Sequence, residues 1–96
     1  MTFRLSARAE LELDAIVAES AGQFGVAQAR SYSAGLRARL ALLAEHPGIA
    51  RKRDELASRA RAYRYKAHMI VYCEEDDGIL VIRIPHVRSD WVSDPD

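Results

Sequence analysis

The spacing of apolar residues changes once along this chain, near Gly48, and that change constrains the fold more than any other feature. Before Gly48, two segments carry apolar or small residues at helical spacing, which puts them on one face of each helix. These residues are Ala9, Leu13, Ile16, Val17, Ser20 and Phe24, then Ala29, Ser33, Leu36, Leu40, Leu43 and Ala44. After Gly48 the apolar residues alternate with polar ones or form β-branched runs, which is typical of strands.

Short turns delimit the two predicted helices. Thr2 to Leu5 is compatible with a strand and is followed by Ser6, a favourable N-cap residue, so the first helix is predicted from about Ala7 to Ala21. Gly22 and Gly25 are expected to bracket the next turn. A proline-glycine pair stops the second helix. Two consecutive amphipathic helices with a short connection predict a helical hairpin.

The second half of the chain predicts three strands, the last two joined by an acidic turn that ends in Asp-Gly. On the last strand Leu80, Ile82 and Ile84 share one face, and Arg83 lies on the opposite one. Packing of the leucine-isoleucine face on the helices would leave Arg83 on an open face of the sheet. A slip of one residue would turn Arg83 inward. Pro85 removes a donor from the ladder, so the strand is expected to end there.

The element order β-α-α-β-β-β predicts an α+β fold of two layers, with the helical hairpin packed on one face of a small antiparallel sheet. Ninety-six residues suit a single domain. Trp91 is expected to pin the C-terminal tail to the core. The predicted parts are a strand at 1–5, the helical hairpin at 6–47, a loop at 48–60, the sheet at 61–86 and the tail at 87–96.

Composition points to an ordinary globular domain of the cytoplasm. The chain is 49% hydrophobic and 29% charged, and no apolar run approaches the roughly 20 residues that cross a bilayer. No secretory signal is visible at the N-terminus. The single cysteine, Cys73, cannot form an internal disulfide and alternates with Met69 and Val71, so a buried thiol is expected.

Charge is unevenly distributed, although the formal net charge is zero. Residues 49–73 contain seven Lys or Arg and two acids, whereas residues 74–96 contain two Arg and seven acids. The basic block is suited either to phosphates or to an acidic protein partner, or it is a solvated loop. Because the overall pI is 6.8, direct sequence-specific DNA binding is not expected.

Few residues carry the pattern of a catalytic site. His86 with Arg83 would supply a titrating group and a cation for RNA cleavage, but a histidine at a strand end more often makes a structural hydrogen bond. An ion pair between Arg88 and Asp90 is the other interpretation of this segment. The histidines and Cys73 are dispersed, so no metal site is expected. Neither is a cofactor, because phosphate-binding loops are missing from the sequence.

Two leucines lie off the apolar stripes of the helices. Leu11 points away from the first stripe, and Leu42 lies well off the second. Isolated exposed leucines are normal on protein surfaces. The alternative is that the hairpin shows apolar surface to a partner as well as to its own core.

From about Phe3 to Trp91 the chain resembles the ParE branch of the RelE/ParE toxins, the toxic halves of bacterial toxin–antitoxin pairs. The order and spacing of several short segments carry this resemblance. They are Leu5-Ser6, Leu56…Arg61-Ala62-Tyr63, His68-Met69-Ile70-Val71-Tyr72, Ile82-Arg83-Ile84 and His86-x-Arg88-x-Asp90-Trp91.

The resemblance implies a toxin that is not an enzyme, traps a complex of DNA gyrase with DNA, and is neutralised by a ParD-like antitoxin. By resemblance, the antitoxin wraps the domain with an amphipathic helix and an extended segment. Residues proposed to contact the target or partner are Arg61, Arg83, Arg88, Leu11 and Leu42. One alternative is a RelE-like mRNA endonuclease that uses Arg83 and His86. Another is a toxin-derived module that binds an antitoxin without being toxic.

Overall fold

A computed structural model describes residues 1–53, 55–56 and 60–92. Two long helices and four strands account for most of them, in the predicted order. Their bounds are β1 Thr2–Leu5, α1 Ala7–Phe24, α2 Val26–Glu45, a short 3-10 helix Pro47–Ile49, β2 Arg61–Tyr65, β3 His68–Glu75 and β4 Gly78–Arg83. The 48–60 loop prediction falls partly, and the 87–96 tail prediction partly, outside the described residues.

The sheet has the strand order β1-β4-β3-β2. Neighbours β2, β3 and β4 pair antiparallel, as predicted, but β1 pairs parallel to β4. The sheet is therefore mixed, which the local alternation of residues does not reveal. Both helices contact β1 and β4, so the fold is α+β with two layers. The predicted fold class is confirmed.

The helical hairpin follows the predicted boundaries closely. The Ser6 hydroxyl accepts a hydrogen bond from the Ala9 N–H at 3.0 Å, which caps α1, and donates to the Ile82 carbonyl of β4 at 2.7 Å. Ser6 thus fixes the start of the helix and its position on the sheet. Gly25, at φ 91°, is the single residue between the helices, whereas Gly22 lies within α1.

The main core lies between the hairpin and the sheet. Its helical members come from the predicted stripes, since Ala9, Leu13, Leu36, Leu40 and Leu43 are all buried. The prediction is wrong for Phe24, the last residue of the first stripe, which is 67% exposed. Each fully buried leucine side chain of this kind contributes about 1.5–3 kcal/mol through the apolar surface it removes from water. The strands add Tyr65, Ile70, Tyr72, Ile79, Val81 and Ile84.

The predicted register of β4 is wrong along most of the strand. Ile79 and Val81, not Leu80 and Ile82, are fully buried in the helix-facing core. A bulge between β3 and β4 then shifts the pairing by one residue, and Ile84 returns to that core. An irregularity of this kind places two residues of one strand opposite one of its neighbour, so alternation fails across it.

A smaller core covers part of the opposite sheet face, which was expected to be open. Met69 and Val71 alternate with core-facing Ile70 and Tyr72 along β3, and they pack with Ala60 and Trp91. Trp91 is buried, and the prediction that it pins the C-terminal segment is confirmed. Cys73 is half-buried rather than buried as predicted, because this smaller core does not reach it.

Candidate functional site

Arg83 is buried, with 5% of its surface exposed, so the expectation of a cation on an open face is wrong. Its Nη1 donates to the Trp91 carbonyl at 3.0 Å, and its Nη2 lies 3.8 Å from a carboxylate oxygen of Glu12. Glu12 also accepts a hydrogen bond from the Ile84 N–H at 2.8 Å. Arg83 therefore joins α1, β4 and the C-terminal segment, and its known contacts are structural.

Arg61 is also engaged within the protein. Its Nη1 donates to the Ala50 carbonyl at 2.6 Å, and its Nη2 donates to Glu74 at 3.1 Å. The side chain is 15% exposed. These contacts attach the segment after the 3-10 helix to the sheet. Most of the Arg61 side chain is therefore inaccessible to another molecule.

Arg88, Leu11 and Leu42 differ in how accessible they are. Arg88 is exposed, and within the described residues it forms no ion pair with Asp90, contrary to one interpretation of the sequence. Leu11 is 71% exposed on α1 and lies free of the core, as its position off the stripe predicted. Leu42 is only half-buried and offers a smaller surface.

His86 makes the structural hydrogen bond that the sequence favoured. Its Nδ1 accepts from the Arg88 N–H at 3.0 Å, and its carbonyl accepts from the N–H and the hydroxyl of Ser89. It also forms an isolated bridge with His68 at the start of β3. His86 is hydrogen-bonded to Arg88 and Ser89, whereas Arg83 contacts Glu12 and the Trp91 carbonyl.

A cleft of about 430 Å³ opens between the tip of the helical hairpin, the β2–β3 turn and His86. Sequence analysis did not identify it. The cleft takes residues from separate parts of the chain, with no shared motif that would have revealed them. Its lining residues are Ile16, Glu19, Ser20, Gln23, Phe24, Gln28, Tyr32, Lys66, Ala67, His68 and His86.

A hydrogen-bonded pair of side chains forms the floor of this cleft. The Tyr32 hydroxyl lies 2.8 Å from His68 Nδ1 and 3.3 Å from the Tyr65 carbonyl. The His68 ring packs edge-on against His86, with centroids 5.3 Å apart. Burial, and secondarily the neighbouring His86, lower the pKa of His68, so its neutral form is favoured. Burial likewise raises the pKa of Tyr32.

Lys66 holds a cation at the rim of the cleft. It has φ 51°, which is uncommon outside glycine, and its carbonyl accepts from Arg64 Nε at 2.9 Å. Its ammonium lies 5.9 Å from the Tyr32 ring centroid and 5.4 Å from that of Tyr65. Electrostatic attraction to the two ring faces positions the charge.

In residues 1–53, 55–56 and 60–92, no cluster of three or more His, Cys, Asp or Glu side chains is placed to hold a metal ion. Across the same residues, no helix is long and apolar enough to span a membrane. The arrangement in the cleft can exchange a proton through the His68 imidazole, and it can bind an anion through Lys66.

Comparison with known proteins assigns the chain to a family. The model of the ParE toxin of the type II toxin–antitoxin system parDE matches residues 3–91. Toxin ParE1 of Caulobacter vibrioides is 36% identical over 84 residues, which cover 88% of this chain and 86% of that protein. The chromosomal ParDE system of P. aeruginosa contains a chain with the same fold, with a TM-score of 0.77 at 17% identity, covering 92% of this chain and 97% of that one. This chain therefore belongs to the ParE toxin family.

Proposed function

We propose that this ParE-family protein arrests growth in the bacterial cytoplasm by acting on DNA gyrase, and that a ParD-like antitoxin neutralises it. The match to the ParE toxin family over residues 3–91 is the observation that carries this proposal, because it spans both helices and all four strands except Thr2. The P. aeruginosa structure is of a ParDE system, which supports an antitoxin of the ParD type.

The surface of the hairpin supports a protein partner. Leu11, Phe24 and Val26 are large apolar side chains that are mostly exposed on the two helices. Apolar side chains on an amphipathic partner helix would cover such surface. Acidic residues of the same partner would meet the exposed cations Arg51 and Lys52, which belong to the basic block.

A non-enzymatic mechanism agrees with the side-chain contacts. RNA cleavage needs a base, an acid and a cation that reach one phosphodiester. Arg83 is buried against Glu12 and Trp91, and His86 accepts a backbone hydrogen bond. The endonuclease alternative built on these two residues gains no support from this geometry.

Induction of the protein in growing cells tests the proposal. DNA supercoiling should fail before mRNA integrity does, and the folded His86→Ala variant should keep most of its toxicity. Purified protein should leave mRNA intact with or without ribosomes. Specific mRNA cleavage that His86→Ala abolishes would instead establish the endonuclease. Antitoxin binding without growth arrest would identify a module that has lost toxicity.

A further inference from the structure

Apart from Phe24, which also belongs to the exposed apolar surface of the hairpin, the residues of the cleft beside His68 and His86 have no role in the proposed function. At about 430 Å³ the cleft is within the size range of small-molecule sites. It lies where the hairpin tip approaches the β2–β3 turn, so helix, strand and turn residues all reach it. Apolar and polar side chains both line it, as in sites that orient a ligand.

One wall of the cleft is suited to an anion. Lys66 is positioned over two tyrosine rings, and within the described part of the chain it forms no ion pair with a carboxylate. His68 and His86 line the same cleft and are in contact with each other. An ammonium and two imidazoles give several hydrogen-bond donors to one group, which is the requirement for binding a phosphate.

The α1 wall is suited to a planar ring. Phe24 is 67% exposed at the cleft, an unusual position for a phenylalanine, and Ile16 extends the apolar surface. Gln23, which donates to Glu19 at 3.5 Å, and Gln28 of the neighbouring helix α2 also line the cleft, and their amides both donate and accept hydrogen bonds. Glu19 is acidic and disfavours an anion next to it, but it accepts hydrogen bonds from hydroxyl or amino groups.

We propose that this cleft binds a nucleotide, with the phosphate at Lys66, His68 and His86 and the base against Phe24. Stacking on an aromatic side chain tolerates any base. The same chemistry is available from a free mononucleotide and from one nucleotide of a single strand. Binding makes and breaks no covalent bond.

Protonation of His68 is linked to this binding. The charged or titratable groups that face His68 from the packed elements are Glu12 and Glu19 on α1, Tyr32 on α2, Lys66 in the turn and His86 after β4. A bound phosphate adds negative charge and raises the pKa of His68, so the His68 signal should titrate at a higher pH with AMP bound than without it.

Three probes test the site by titration of the histidine NMR signals of the intact protein: inorganic phosphate, AMP and a single-stranded oligonucleotide of about 12 nucleotides. AMP should bind more tightly than phosphate, and it should shift the signals of His68 and His86. Lys66→Gln should weaken AMP binding by about tenfold, because a charge-assisted contact is lost. His86→Asn keeps an acceptor for the Arg88 N–H and should weaken AMP binding several-fold.

Two further variants separate the parts of the site. Phe24→Ala should weaken AMP about tenfold and leave phosphate unaffected, since it removes only the stacking surface. Arg37→Gln on α2 removes an exposed cation outside the cleft and should change nothing. If the oligonucleotide binds more tightly than AMP, the natural ligand is one nucleotide of a nucleic-acid strand. If AMP binds more tightly, the natural ligand is a free nucleotide.

Several results would overturn the assignment. They are the absence of saturable shifts with all three probes, binding that neither Lys66→Gln nor His86→Asn affects, and equal affinity for AMP and phosphate. The signal dispersion of each variant shows whether it is folded. Because gyrase inhibition and antitoxin binding are measured separately, failure here leaves the proposed function in place.

Discussion

Arg83 connects three parts of the molecule through one guanidinium, which contacts Glu12 on α1 and the Trp91 carbonyl. Arg83→Met should lower the free energy of unfolding by about 2–3 kcal/mol, because the partly buried Glu12 carboxylate loses its ion-pair partner and the Trp91 carbonyl loses a buried charged donor. Arg88→Met, at an exposed position in the next turn, is the matched control and should stay within about 0.5 kcal/mol. Urea denaturation followed by circular dichroism measures both.

The sequence favoured the opposite result. An arginine on an open sheet face could be replaced with little change in the free energy of unfolding. Equal stability of the Arg83→Met and wild-type proteins would restore the earlier view. Substitution of Arg61 should have an effect on stability between those at Arg83 and Arg88. Arg61 contacts Ala50 and Glu74 but keeps 15% of its side chain exposed.

His68 should make stability depend on pH. Burial and His86 lower its pKa in the folded state below the unfolded value of about 6.5. The unfolded chain then binds more protons in the window just below that value. The contribution of His68 to the free energy of unfolding is therefore fully present above about pH 6.5, and it is lost as the pH falls through the folded-state pKa of His68. Thermal unfolding between about pH 7.5 and 5 should show the decline.

His68→Asn separates this effect from the titration of other groups. Asparagine can donate to or accept from the Tyr32 hydroxyl, because its amide carries both groups, but it does not titrate. The variant should have a flatter dependence of melting temperature on pH in the same window. An unchanged slope would assign the pH dependence to other groups.

Among the elements, β1 depends on a glycine of its neighbour. Gly78 has φ 146°, and a Cβ there would lie 1.7 Å from the Thr2 carbonyl oxygen. Gly78→Ala should therefore disturb the pairing of β1 with β4 and destabilise the fold by about 1–3 kcal/mol. Gly48→Ala is the control, because a Cβ at Gly48 meets nothing within 4 Å.

Hydrogen exchange distinguishes a local effect from a general one. Amide protection should fall first in Thr2–Leu5 of the Gly78→Ala variant, while α2 keeps its protection until global unfolding. Equal stability of the two alanine variants would mean that β1 moves aside without loss.

Helices were more predictable than the sheet because their signal is local. Leu36, Leu40 and Leu43 recur with the period of a helix, and a core on one side satisfies that pattern throughout α2. The register of β4 depends on a bulge opposite Val71 and Tyr72, and no residue type in the strand requires that irregularity. The parallel pairing of β1 with β4 depends on the path of the chain through both helices, which no local pattern of residues encodes.

The candidate sites were predicted less well than the fold for a related reason. Leu11 was identified correctly as exposed because a helical wheel depends only on neighbours in sequence. Arg83 and Arg61 required knowledge of residues far along the chain, such as Glu12 and Ala50, with which they form contacts. The pairing of Tyr32 with His68 spans 36 positions and has no sequence signature.

At the scale of the whole molecule, the apolar hairpin surface and the basic block should control different steps of antitoxin binding. Arg51 and Lys52 are exposed cations, and attraction between opposite charges mainly accelerates encounter. The double variant Arg51→Gln with Lys52→Gln should slow association with the proposed ParD-like antitoxin and reduce the salt dependence of the association rate. Leu11→Ser should instead accelerate dissociation, because it removes an apolar contact that forms only in the complex.

Surface plasmon resonance at several salt concentrations separates the two rates. Arg30→Gln with Arg37→Gln on α2 removes the same number of exposed charges outside the basic block, so it controls for net charge. If that control slows association as much as the Arg51 and Lys52 variant does, the antitoxin is attracted by the charge of the whole molecule and not by the basic block in particular. If neither rate responds to Leu11→Ser, the antitoxin does not cover α1 at that position. The assignment of the hairpin surface would then be wrong, even though the complex forms.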